Sequence, residues 1–264
     1  MVAGLRSDPC TTHRLGSRSR PCRSNHQRGA AMSNQMKEID WSINSSTYGC
    51  DDFKDEQGMW VASFRTSQGA VSTQNHTRSG YLWFDLLKRT EIGGRFQRRC
   101  PAYAGVTLGF DSYQQFADWA IAQPGYKSRD SEGKIFQLDK DILVHGCKVY
   151  SPETCAFVPA YLNAILNISS RARGSLPLGV SLDPSTGKYR ARAKKRGRTI
   201  GLGSFSSELE AHKAWQRFKA ERLLDAADEY RRIECSRADV AEALARRADQ
   251  LLGDASKGVI TTCL

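Results

Sequence analysis

Between residues 178 and 218 the spacing of apolar and polar positions changes period, and the change predicts a small sheet followed by a helix. In KYRARAKK, Tyr189, Ala191 and Ala193 alternate with Arg190, Arg192 and Lys194, the period of two shown by a strand with one buried face. Shorter runs on either side, set off by Gly187 and by Arg196-Gly197, complete three antiparallel strands joined by tight turns. Ser207 then precedes Glu210 by three residues, which is a capping box. Ala211, Ala214, Trp215 and Phe218 follow at helical spacing, a face suited to cover Tyr189, Ala191 and Ala193, with Trp215 in the core. The helix is expected to run on to Arg232. A second helical stripe, Val240, Leu244, Ala248 and Leu251, packs either on that helix or on a second copy of the chain.

Upstream, YLWFDLLKR places Leu82, Trp83, Leu86 and Leu87 at helical spacing. A strand is expected at 106–110, then a helix capped by Asp111 or Ser112, with Tyr113, Phe116 and Trp119 on one face and Pro124-Gly125 at its end. LDKDIL reads as a strand, VHGCKVYSPE as a loop, TCAFVP as a returning strand and AYLNAILN as a short helix. WVASF, at 60–64, reads as a weaker strand. The pattern as a whole is α+β: a ββα unit, then a three-stranded antiparallel sheet packed on one helix.

Charge sharpens this picture. The chain of 264 residues carries a net charge of +11. Residues 171–203 hold nine cations, Arg171, Arg173, Lys188, Arg190, Arg192, Lys194, Lys195, Arg196 and Arg198, against Asp183 alone. The outward side chains of the middle strand are thus a row of cations, which favours a polyanionic partner by counterion release and steering. Eight cysteines include no CxxC pair, and Cys147, Cys155 and His145 match no compact zinc spacing. Scattered thiols fit a reducing cytoplasm. No apolar run reaches the ~20 residues needed to span a bilayer, so no membrane partner is expected. Residues 1–37, rich in Arg and Ser with Asp8 as their only acid, read as a disordered basic leader, as an over-extended start with Met32 or Met36 as initiator, or as a transit peptide.

Several segments in order also carry a family resemblance. YAGVTL, SYQQFADW, LDKDI and YSPETC resemble, in sequence and spacing, segments of phage and bacterial HNH (His-Me finger) homing endonucleases. The 178–218 unit resembles the APETALA2/ethylene-response-factor type DNA-binding domain through LGV at 178–180, Gly187-Lys188-Tyr189, LGSF at 202–205 and Glu210-Ala211. The resemblance implies four parts: the leader at 1–37, a nuclease-like domain at 38–170, a DNA reader at 171–232 and a helical tail at 233–264. It implies double-stranded DNA as partner, a cytoplasmic setting (the host's, for a phage-encoded chain) and, in an active enzyme, a Mg2+ or Mn2+ ion that helps water attack a phosphodiester. Oligomeric state stays open.

On this resemblance Asp139, Asp141 and Asn163 are the candidate metal ligands, and His145 in the loop is the candidate general base. Lys140 stands where the active pattern has histidine, and Thr154 where it has asparagine. The alternative for the same residues is structural: Asp139 and Asp141 tie down the hairpin and His145 is solvated. DNA contacts fall to Ser181, Arg190, Arg192, Lys194 and Arg198, with Lys188 and Lys195 on phosphates. Ser181 replaces a family Arg, and Tyr189 and Gly201 replace family Trp residues. The rival function is a DNA-binding protein without catalysis.

Overall fold

The computed structural model describes residues 49–64, 75–166, 176–195 and 197–262. The expectations for the leader, for Arg171 and Arg173 and for Arg196 lie outside the described residues. Among the described residues the architecture is mixed helix and sheet, and the largest sheet is three-stranded and antiparallel. No helix among the described residues is long and apolar enough to cross a membrane.

The first helix, α1 (Arg78–Thr90), starts three residues earlier than the apolar pattern suggests, because Thr77 caps it through the amide of Gly80. Gly80 lies so close to the Ala62 carbonyl that a Cβ there would overlap it. Leu82, Trp83 and Leu86 face the core, whereas Leu87 turns outward. The segment 60–64 forms isolated bridges, Trp60 to Lys54 and Ser63 to His76, in place of the expected strand. A one-turn helix, α2 (Arg95–Arg99), leads to β1 (Thr107–Leu108). Ser112, not Asp111, caps α3 (Tyr113–Ala122) by accepting from the Gln115 amide. Tyr113, Phe116 and Trp119 enter one aromatic core with Trp83, Phe110, Tyr126 and Phe157.

β2 (Gln137–Asp139) is shorter than LDKDIL implies. Asp139 Oδ1 accepts the amides of Asp141 (2.9 Å) and Ile142 (2.6 Å), and this side-chain turn curls the chain out of the strand. The loop that follows contains β3 (Val149–Tyr150), paired in parallel with β1, which the apolar pattern does not show. β4 (Ala156–Val158) returns antiparallel to β2, and α4 (Ala160–Leu166) follows.

In the second half, β5 (Val180–Asp183), β6 (Lys188–Lys195) and β7 (Arg198–Phe205) form the sheet in that order. The alternation in β6 is realised: Ala191 and Ala193 are buried, while Arg192 and Lys194 are exposed. β7 carries an extra residue opposite the Ala191–Arg192 step, a bulge that falls at Leu202. Gly203 beside it has φ +131°, a region that favours glycine. The bulge resets the period, so Ile200, Leu202 and Phe205 all turn toward the apolar side.

α5 (Glu208–Arg231) is capped by Ser207 and covers the sheet with Ala211, Ala214, Trp215 and Phe218. α6 (Ala238–Lys257) packs along α5 within the same chain, which answers the question left open by its apolar stripe. The apolar core built on α5 and α6 also takes in Ile142, Ala156, Val158 and Leu162, so it runs across the expected boundary at 170. Buried His212 adds a polar tie. Thr261 N–H donates to its Nε2 (3.0 Å), so Nδ1 carries the proton and donates to the Leu178 carbonyl (2.9 Å).

Candidate functional site

Two places gather the candidate residues. The first is the outer face of the sheet. Here Ser181, Arg190 and Ser204 stand side by side across the three strands, and Arg192 faces Gly201 while Lys194 faces Thr199. Gly201 and Gly203 leave a shallow floor of about 530 Å³, bordered by Arg190, Arg192, Thr199 and Ser204. A Cβ at Gly201 would meet nothing, so this floor is open to a ligand.

The six described cations of the sheet are not equivalent. Arg190 is paired with Asp183, whose carboxylate also accepts from Ser185 N and Oγ and from Thr186 Oγ1 at 2.8–3.2 Å. Those hydroxyls, together with the turn amide and Arg190, hold the Asp183 carboxyl below the usual carboxylate range. Lys188, Arg192, Lys194, Lys195 and Arg198 are exposed, and among the described residues none has an acidic ion-pair partner. Arg190 is therefore a partly neutralised cation, which the sequence counts at full charge.

The second place is a cleft of about 930 Å³. All five residues of the candidate nuclease site line it: Asp139, Lys140, Asp141, His145 and Asn163. Their roles differ from those the resemblance implies. Asp139 is half-buried, and its Oδ1 is occupied by two backbone amides. Burial pushes its carboxyl up, against the pull of those amides. Lys140 is only 6% exposed. Its Nζ donates to both carboxylate oxygens of Asp141 (2.8 and 2.7 Å) and to the Cys147 carbonyl (2.6 Å). An ammonium so engaged has no lone pair with which to accept a proton. Asn163 Nδ2 donates to Gln137 Oε1 (3.0 Å), which ties α4 to the start of β2. His145 is exposed in the loop. Thr154 supports the loop by donating to the Val149 carbonyl (2.8 Å).

A resident Mg2+ or Mn2+ does not fit this donor set. The Asp141 carboxylate and the Cys147 carbonyl already serve an internal cation, and Asp139 serves the turn. Among the described residues no three His, Cys, Asp or Glu side chains converge as a metal site. Cys147 and Cys155 are free thiols.

Two arginines of the cleft escape a reading of the sequence. Arg89 forms an ion pair with Asp85 (2.6 Å) and donates to the hydroxyls of Tyr103 (3.3 Å) and Tyr150 (3.2 Å). Arg247, on α6, is buried and donates to the carbonyls of Ile142 (2.6 Å) and Asp141, which anchors the carboxylate loop to the C-terminal helix. The signal for Arg247 lies in the stripe itself: position 247 falls on the buried face marked by Val240, Leu244, Ala248 and Leu251.

Comparison of the chain with known families, characterised proteins and solved structures gives no match.

Proposed function

We propose that this chain is a duplex-DNA-binding protein that reads DNA with the outer face of β5–β7. The observation that carries the proposal is the exposed, unpaired Arg192 and Lys194 beside the open Gly201–Gly203 floor. A three-stranded face of this kind suits the major groove, with glycines allowing close approach and cations meeting phosphates. In this reading β2, β4 and α4 form an HNH-type ββα unit kept as a scaffold, and the protein works in the cytoplasm. The test is a titration of labelled duplex with the full chain in EDTA. Salt-sensitive binding that drops in an Arg192→Ala/Lys194→Ala variant supports the proposal, and equal binding by that variant removes the sheet from it.

A second reading, cleavage of duplex DNA with an added Mg2+ or Mn2+ that must first displace the Lys140 ammonium from Asp141, is favoured by one observation. Asp139, Lys140, Asp141, His145 and Asn163 share a single cleft. Incubation with supercoiled plasmid in Mg2+ or Mn2+ separates the two. Nicked circles establish cleavage, and intact plasmid alongside duplex binding leaves the binding function alone.

A further inference from the structure

We infer that the Lys140 ammonium is the resident cation of the 139–147 loop, and that removing it uncovers a latent divalent-cation site. Three features carry the inference. The ammonium is buried on a side chain only 6% exposed, so its charge requires compensation from within the protein. It sits where two oxygens of Asp141 and the carbonyl of Cys147 converge at 2.6–2.8 Å. That arrangement is all-oxygen, with one carboxylate gripping from both oxygens, as hard cations are held at ~2.3–2.6 Å. A contraction of a few tenths of an ångström, with water filling the remaining positions, converts one into the other.

The cradle is also held from outside the ion pair. Asp139 Oδ1 holds the amides of Asp141 and Ile142, and Arg247 holds their carbonyls. These contacts fix the backbone that carries the Asp141 carboxylate, and removing the ammonium leaves that carboxylate without its counter-charge. The inference concerns the cleft alone and does not depend on the sheet binding DNA. For that reason it is tested without nucleic acid.

The Lys140 ammonium lies 5.8 Å from the centre of the Tyr150 ring, so a Tb3+ ion in its place would be sensitised by that ring. Full-length protein and the Lys140→Met variant are titrated with Tb3+ and, separately, with Mn2+. The variant is expected to bind one ion at least tenfold more tightly than the unaltered chain. The gain should vanish in Lys140→Met/Asp141→Asn and be absent in Lys140→Arg, which keeps a cation in the cradle. Equal binding by the unaltered chain and Lys140→Met, or a gain that survives loss of the Asp141 charge, overturns the inference. If Lys140→Met does not fold, Mn2+ line broadening in the amide spectrum of the unaltered protein decides. Sharp Ile142 and Gly146 signals at millimolar Mn2+ support an occupied cradle, and selective broadening there overturns it.

Discussion

Asp183 is the one acid of the sheet, and replacing it with Asn is expected to make DNA binding tighter. The carboxylate neutralises Arg190 in the free protein, so a phosphate docking there displaces Asp183 and not a solution counterion. Asn keeps Oδ1 as acceptor for Ser185, while its Nδ2, standing where Oδ2 was, can donate to Thr186 Oγ1 and releases the guanidinium. Each phosphate contact adds about 0.9 to the slope of log K against log salt. The five unpaired cations of the sheet then set a slope of at most about 4.5, and freeing Arg190 raises the limit to about 5.4. If the two proteins bind alike at ~1 M salt, the variant is about eightfold tighter at ~0.1 M. Over a fourfold rise in salt it loses about 3.5-fold more affinity than the unaltered chain. Fluorescence anisotropy with a random-sequence duplex across ~50–200 mM salt reads both quantities. A misfolded variant cannot mimic a gain. Unchanged affinity and slope would refute the reasoning and place Arg190 away from the phosphates.

Three further outcomes test the packing that holds the two sites. Arg247→Met removes charged hydrogen bonds to two loop carbonyls and is expected to cost roughly 2–4 kcal/mol in urea unfolding. Gly179→Ala places a Cβ 2.0 Å from Trp215 Cδ1 at φ +74° and should cost roughly 2–4 kcal/mol, whereas Gly187→Ala, in open space, should cost about 1 kcal/mol. Burial pushes His212 below its ordinary value of 6.5, so the unfolded chain binds more protons below that pH. Its contribution is therefore complete above pH 6.5 and is lost as pH falls through the folded-state value. Urea midpoints at pH 8, 6 and 5 should show that loss in the unaltered chain and a weaker one in His212→Gln.

Much of the second half was legible in the sequence because its signals are local. The alternation in β6, the Ser207 cap and the helical stripes each depend on neighbours within a few residues, and each appears where the pattern places it. The bulge at Leu202 was not legible, because an extra residue shows only when the partner strand's register is known. The parallel β1–β3 pair was hidden for a related reason: two-residue strands are too short to show a period.

The candidate site was legible as a neighbourhood but not as chemistry. Asp139, Lys140, Asp141, His145 and Asn163 do share one cleft. Which group satisfies which depended on contacts that spacing does not specify. Asp139 turns inward to cap two amides, Lys140 folds back onto Asp141, and Arg247 arrives from more than a hundred residues away. Likewise the Asp183–Arg190 pair joins residues that a charge count treats as independent.

The most direct test of the central claim is the salt dependence of duplex binding by the full chain in EDTA, measured beside the Arg192→Ala/Lys194→Ala variant. The account predicts metal-free binding with a slope between about 3 and 4.5, falling by about 1.8 in the variant. Absence of duplex binding at ~50 mM salt, or a slope that the two substitutions leave unchanged, would contradict it.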